Sequence, residues 1–339
     1  MTRVLQCGLG AMGSLMARIA LEKRGIELVG AVARRPELHG ADLGAHLKAP
    51  AARGRKIYPD IATAARKTKA QLVMTATGSL VAEELPVIEA GIAAGLDVVS
   101  IAEEMAYPAA RAPRSAARID RLARKAGVTV LGTGINPGFV LDLLIITLTG
   151  VCRRVESIYA ERVNDLSPYG GMVMQTQGIG LSPAAFRDGL KTGKVLGHIG
   201  FQQSVAMIAD ALGLELDAVR EERAPIIAKR RRRGEHIVVP PGMVAGCRHT
   251  AVGLRRGRKV IELVHPQQIE PGAEGTVTRD RIVIKGVPNI DLKVEPEMAG
   301  GIGTASLAVN MVPLVAAAAP GLVSMKDLPV PRLAALRKS

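Results

Sequence analysis

Through its first 131 residues the chain alternates short apolar runs with stretches of helical spacing. Val4 to Leu9 is the first run, and it breaks at Gly8-Leu9-Gly10-Ala11-Met12-Gly13 into Ser14 to Leu21, which has helical periodicity and no breaker. Ile26 to Ala33 reads as a strand buried on both faces and Ile57-Tyr58 as a short one. Leu72 to Ala76, Asp97 to Ala102 and Val128 to Leu131 supply three more strands, the last completing the sheet. Between them lie a short helix opened by Gly40 to Gly44, a helix from Ile61 to Lys67 capped by Asp60, and helices Val81 to Ala94 and Pro113 to Ala126. Gly25, Gly95 and Gly127 act as stops. This alternation predicts an α/β fold, a doubly wound parallel sheet of the Rossmann type over residues 1–135.

A different texture follows. Val140 to Leu148 reads as an apolar helix, Val155 to Val163 as a half-buried strand, and Phe201 to Ala211 as another helix. From Ile226 to Val294 alternating runs are split by turns at Arg256-Gly257, Arg279-Asp280 and Pro288-Asn289, which predicts a mostly antiparallel sheet. Residues 136–300 are therefore expected to form an α+β second domain. Residues 301–339, with a helix from Ile302 to Ala318, are expected to return to the first.

Composition narrows the class. A chain of 339 residues with 48% hydrophobic content can bury two cores, but aromatics are 2% and Trp is absent, so Ala, Val, Leu, Ile and Met must fill them. Three scattered cysteines (Cys7, Cys152, Cys247) have no metal spacing and argue for a reducing, cytoplasmic setting without disulfides or a metal. The first strand begins at once, leaving no leader, and the apolar run Ile302 to Ala319 holds Asn310 and Pro313, which suits a buried helix rather than a membrane span. A net charge of +14 invites a nucleic-acid reading, yet the one dense basic run, Lys229 to Arg233, comes without any nucleic-acid motif and reads as a solvated loop or hairpin.

The glycine run has the strand, turn and helix setting of a dinucleotide fingerprint. Gly8 permits the tight turn, Gly10 lets backbone approach a pyrophosphate, and Gly13 lets the helix pack on the strand, with Ala11 and Met12 at the helix start where N–H groups meet phosphates. Where NAD-binding folds usually carry an acid against the ribose hydroxyls, this chain has Ala33 followed by Arg34 and Arg35. Two guanidiniums suit a 2′-phosphate, so NADP is the expected cofactor, with NAD as the alternative. Thr77-Gly78-Ser79, after the fourth strand, is expected beside the ribose and nicotinamide.

Two further polar clusters fall at the carboxyl ends of strands, where such sheets bind ligands: Glu103-Glu104 with Tyr107, and Thr133 with Asn136. A glutamate lining an apolar cleft would have a raised pKa and be ready for proton transfer. The same pair could instead open a helix and be favoured by its dipole. The residues alone leave both readings open.

Ile101-Ala102-Glu103-Glu104-Met105-Ala106-Tyr107-Pro108 and Gly132-Thr133-Gly134-Ile135-Asn136-Pro137-Gly138-Phe139-Val140-Leu141-Asp142 resemble the paired signatures of the 2,4-diaminopentanoate dehydrogenase family. That family also holds the native amine dehydrogenases, and its N-terminal domain is similar to that of dihydrodipicolinate reductase. Gly197-His198-Ile199-Gly200-Phe201-Gln202-Gln203-Ser204, the segment from Gly303-Thr304-Ala305 to Pro313, and Pro320 to Pro329 resemble three more of its stretches. The likeness spans nearly the whole chain.

The resemblance implies NAD(P)-dependent interconversion of an amine with a ketone plus ammonia. In the aminating direction ammonia adds to the carbonyl, water leaves, and hydride is delivered to the iminium. It places the essential glutamate in Glu103-Glu104, with Glu104 favoured. Thr133 and Asn136 would orient substrate and nicotinamide, Tyr107 would border the substrate, and His198 would be a pocket wall or hydrogen-bond donor. Asn164, Tyr169 and Thr304 would line the substrate cleft from the second domain, which would also pair two copies into a homodimer.

Two departures matter. Where the family motif commonly has Thr-Cys before the glutamates, this chain has Ile101-Ala102. Val163 to Gly178 carries few charges, which leaves Arg162 or Arg187 to meet any substrate carboxylate and keeps a simple amine open beside 2,4-diaminopentanoate. The rival readings are a carbonyl or imine reductase of the dihydrodipicolinate reductase type, whose His-His and Ser-Gly-Thr motifs are missing here, and a non-catalytic NADP-binding regulator, which would not need the glutamate pair. An aldehyde dehydrogenase would need Cys152 as nucleophile, outside every motif.

Overall fold

The computed structural model describes residues 1–337. Two compact units divide the chain: Met1–Phe139 with Ala299–Ser339, and Val140–Met298.

The first unit opens with β1 (Thr2–Cys7), α1 (Ala11–Glu22) and β2 (Ile26–Val32). Then come α2 (Leu43–Leu47), β3 (Ile57–Tyr58), α3 (Ile61–Thr68), β4 (Leu72–Thr75), α4 (Val81–Ala93), β5 (Asp97–Ser100), α5 (Pro113–Ala126) and β6 (Thr129–Gly132). Helix starts follow the caps: Asp42 accepts the Ala45 N–H at 2.8 Å, and Asp60 accepts that of Thr63 at 2.7 Å. The strands are apolar on both faces because helices cover both. Leu5, Val73, Val98 and Val130 pack with Ile88 of α4 and Ile119 of α5, while Leu28 and Ala31 pack with Ala17 and Leu21 of α1.

The second unit holds α6 (Leu143–Thr149), β7 (Arg154–Asp165), α7 (Gly171–Thr176), α8 (Pro183–Thr192) and α9 (Phe201–Ala211). Helix α6 starts at Leu143 rather than Val140, because Asp142 takes the Leu143 N–H at 2.7 Å and the Ser204 hydroxyl at 2.9 Å. Strands β8 (Ala218–Ile227), β9 (Arg232–Arg233), β10 (Val238–Val239), β11 (Val244–Arg255), β12 (Arg258–Gln268), β13 (Arg279–Val287) and β14 (Ile290–Val294) follow. Six of them form a sheet in the order β14-β13-β7-β12-β11-β8, antiparallel except for the parallel pair β7–β12. The hairpin β11–β12 turns on Arg256 and Gly257, at φ 51° and 69°, the two positive values that a two-residue turn of matching twist requires.

Arg279-Asp280, expected to be a turn, lies inside β13. Asp280 is buried and paired with buried Arg162 at 2.7 Å, so its charge serves the interior rather than a loop. The basic run is also only partly solvated. Arg232 is buried, bonded to Gln268 Oε1 at 2.7 Å and paired with Glu274 at 3.0 Å.

The chain then returns to the first unit with α10 (Gly300–Val315) and β15 (Gly321–Val323). Helix α10 packs against α1 and β5. β15 adds a seventh strand beyond β6, so Val128 to Leu131 does not end the sheet, whose order is β15-β6-β5-β4-β1-β2-β3, all parallel. Among the described residues no helix is long and apolar enough to cross a membrane, and the three cysteines are free.

Candidate functional site

The glycine loop joins β1 to α1. Gly8 has φ +87°, and a Cβ there would lie 2.4 Å from the Ala76 carbonyl oxygen, while one at Gly13 would lie 2.0 Å from that of Gly8. Gly10 is exposed, and among the described residues nothing stands within 4 Å of where its Cβ would be. Among the described residues no side chain caps the first turn of α1 and no acid lies in it, an arrangement that favours an anion at the backbone around Ala11 and Met12. This cradle fits a dinucleotide pyrophosphate: it is closed to side chains at Gly8 and Gly13 and open at Gly10. Gln6, which no motif signalled, is fully buried beneath it, and its amide donates to the carbonyls of Cys7 at 3.0 Å and Gly8 at 3.2 Å.

Arg34 and Arg35 are exposed just past β2. Arg34 lies near enough to oppose the shift of Cys7, whose thiol burial pushes up to about 12.

Four glutamates gather around the turn from β4 to α4. Glu83 accepts the N–H of Ser79 at 2.9 Å and folds over Gly78, where a Cβ would meet its carboxyl oxygen at 2.6 Å. Glu84 is fully buried. Glu103 and Glu104 begin a short 3-10 turn after β5, with Tyr107 half-buried at its end. Glu104 donates its N–H to the Ser79 carbonyl at 3.1 Å and accepts the Val81 N–H at 2.9 Å through one carboxylate oxygen. Burial raises the Glu103 pKa, with the nearby carboxylates of Glu83 and Glu104 adding to the rise, while its own N–H and the Ser79 hydroxyl oppose it. The pair is thus docked on the loop Thr77-Gly78-Ser79 that follows β4, and Glu104 also caps α4.

The loop after β6 is packed beside it. Thr133 is buried, donates its N–H to the Ser100 carbonyl at 2.9 Å and sets its hydroxyl on the Met325 sulfur at 3.1 Å. Thr304 belongs to this unit rather than to the one that holds Asn164 and Tyr169: it sits on α10 and accepts the Ile135 N–H at 3.1 Å, next to half-buried Asn136.

The second unit collects its own polar cluster. Asn164 Oδ1 is 3.1 Å from His265 Nε2, and His265 packs edge-on against His198 at 4.8 Å between ring centroids. Phe201 at the start of α9 lies 4.9 Å from the rings of both His198 and His249. His198 is buried, and its Nε2 makes no hydrogen bond among the described residues. Burial, with His249 and Arg162 nearby, pushes its pKa down to about 3, so the ring is neutral. Tyr169 is half-buried, and burial raises its phenol. Arg162 is already held by Asp280 and the Met298 carbonyl, and Arg187 is exposed on α8. His265 continues the alternate apolar positions Ile261 and Leu263 of β12, the one sequence signal that could have pointed to it. Among the described residues no His, Cys, Asp and Glu group is arranged to hold a metal.

Residues 139–338 match the profile of the 2,4-diaminopentanoate dehydrogenase C-terminal domain. A 2,4-diaminopentanoate dehydrogenase of Acetoanaerobium sticklandii is 44% identical over 334 residues, 97% of this chain and 94% of that protein. The chain belongs to the 2,4-diaminopentanoate dehydrogenase family. It is accordingly an oxidoreductase of the dehydrogenase class. An amine dehydrogenase of Streptomyces virginiae is 25% identical over 345 residues, 95% of each chain. Among solved structures, an amine dehydrogenase from Mycobacterium smegmatis superposes with a TM-score of 0.85 at 26% identity, covering 98% of this chain and 97% of that one. The family membership and the two-unit fold therefore agree.

Proposed function

We propose that the protein is an NADPH-preferring amine dehydrogenase that interconverts a small amine with its ketone and ammonia. One observation carries this reading: in a chain of this family, Glu103 and Glu104 are docked by Glu104 onto the loop that follows β4, beside the glycine cradle. The bound nicotinamide supplies the hydride. Everything else is the work of the chain.

Backbone N–H groups at the start of α1 hold the pyrophosphate, and Arg34 and Arg35 meet the 2′-phosphate. One oxygen of Glu104 is fixed by the Val81 N–H. The other carries two protons in turn from the adding ammonium nitrogen to the carbonyl oxygen, the first making the hydroxyl and the second releasing it as water as the iminium forms. Glu103, with its raised pKa, carries a proton more readily than an ordinary glutamate and so relieves the charge beside Glu104. Asn136 and Thr304 border the nicotinamide side. Asn164, Tyr169 and His198 are the second unit's candidates for substrate contact.

The 44% identical relative supports 2,4-diaminopentanoate as the substrate. A simpler amine is favoured by one observation, that the Arg162 guanidinium already serves Asp280 and the Met298 carbonyl. Two buried free cysteines accord with a reducing, cytoplasmic setting. A second copy is proposed to pack on the six-stranded sheet, where one cross-strand row reads Asp291, Val283, Tyr159, Glu262, Val252, Arg220. About a two-fold axis Asp291 would face Arg220, Val283 would face Val252 and the Tyr159 phenol would face Glu262, so the row complements itself.

The test follows NADPH absorbance with small ketones, aldehydes and 2-amino-4-oxopentanoate, with and without ammonium. Ammonium-dependent oxidation is expected, and the Glu104→Gln variant should lose about 10²–10⁴-fold in kcat, the usual share of a general acid-base group. Replacing Arg34 and Arg35 by Ser should raise the NADPH KM roughly tenfold and leave that for NADH in place. Oxidation that ignores ammonium would mean a carbonyl reductase instead.

A further inference from the structure

Of the four glutamates Glu84 is the most deeply buried, and like Glu83 it lies outside every motif. Its carboxyl group receives the Thr75 hydroxyl at 2.7 Å, the Thr77 N–H at 3.1 Å, the Thr77 hydroxyl, and the Ser100 hydroxyl at 3.2 Å. No cation pairs with it among the described residues. A carboxyl group at zero exposure is costly unless its lone pairs are filled, and here hydroxyl and backbone donors fill them rather than an ion pair.

The donors come from three places that the proposed reaction needs at once. Thr75 ends β4. Thr77 belongs to the cofactor-side loop, and its methyl group lies 3.0 Å from where a Cβ at Gly8 would stand, so the loop presses directly on the glycine turn. Ser100 ends β5, and its hydroxyl also accepts the Ala102 N–H at 3.2 Å, one residue before Glu103 and Glu104. A displacement at Glu84 would therefore move both loops together.

We propose that Glu84 is a positioning residue that fixes the cofactor loop and the proton-handling glutamates in one register, so that a single buried carboxyl group sets the distance between the hydride side and the proton side of the reaction. This rests on the functional reading above. It assigns Thr77 and Ser100 as the two arms of one anchor, the first acting on cofactor binding and the second on chemistry.

The arms can be separated. NADPH dissociation constants are measured by fluorescence on the full-length protein for Glu84→Gln, Thr77→Val and Ser100→Ala, beside the pH profile of kcat. Glutamine puts an NH2 group against one pair of donors, so Glu84→Gln should weaken NADPH about tenfold or more, lower kcat and shift the acid limb of its pH profile. Thr77→Val should weaken NADPH. Ser100→Ala should hold NADPH binding within about twofold while lowering kcat and shifting the same limb. Adding Thr77→Val to Glu84→Gln should weaken NADPH no further than Glu84→Gln alone, because both remove one connection.

If the variants change only the thermal midpoint, with NADPH affinity, kcat and pH profile as in wild type, the anchor is structural and the inference is overturned. It is overturned equally if Glu84→Gln weakens NADPH but leaves the pH profile of kcat in place. Should Glu84→Gln not fold, Thr77→Val and Ser100→Ala decide the matter alone. Failure of the wild-type protein to bind NADPH would sink the functional reading itself, a result distinct from variants that match an active wild type.

Discussion

At the scale of single residues, the unusual feature is a carboxyl group held where water would serve it better. Glu103 has its pKa raised by burial. A group whose folded value lies above its unfolded value contributes stability that is fully present below the ordinary value, 4.5, and is lost as pH climbs through the raised one. Glu103 therefore makes the fold weaker in mildly alkaline solution than in acid. The Glu103→Gln variant escapes this, and its thermal midpoint should exceed that of wild type by about 1–3 °C near pH 8, with the gap closing toward pH 4. A constant gap across pH would mean that Glu103 does not titrate in that range. Residue types told the sequence reader where carboxylates gather, but not whom they meet. Asp280 and Arg232 looked like turn and surface charges, and each is buried against a partner far along the chain, Arg162 at 118 residues and Glu274 at 42.

Among the elements, the glycine cradle makes the sharpest contrast. Gly13→Ala forces a Cβ into the Gly8 carbonyl and should cost both folding stability, by about 1–3 kcal/mol, and cofactor affinity. Gly10→Ala meets open space, so the protein should melt as wild type does and yet bind NADPH roughly tenfold or more weakly, the methyl group standing where a phosphate approaches. Titration of both variants beside their melting curves checks the pair, and equal affinity for Gly10→Ala and wild type would remove the pyrophosphate from this loop. The first six strands were legible because each holds a short apolar run set off by caps and glycines. β15 was not, since three residues carry no periodicity and the strand exists only through the edge that β6 offers. Nor was the parallel pairing of β7 with β12, which depends on which distant strand arrives beside β7. Glu84 stayed hidden for a similar reason: within α4 it reads as one more first-turn acid, and only the fold brings the hydroxyls of Thr75, Thr77 and Ser100 to it.

For the whole molecule, the cross-strand row on the six-stranded sheet predicts two copies in solution, sedimenting at twice the chain mass of 35.6 kDa. Tyr159→Asp, in the middle of that row, should yield a folded single chain, and a wild-type protein running at 35.6 kDa would remove the pairing. The chain path carries a further consequence. The first unit takes its seventh strand and its α10 buttress from beyond Met298, with all of the second unit in between. A ribosome adding about 5–20 residues per second needs roughly 10–40 seconds to travel from β6 to β15. Through that interval β6 is a bare edge on a nascent sheet, with the surface that α10 will cover still wet. Slowed translation across residues 140–298 should thus lengthen the exposure to chaperones and to misassembly, although not one amino acid has changed.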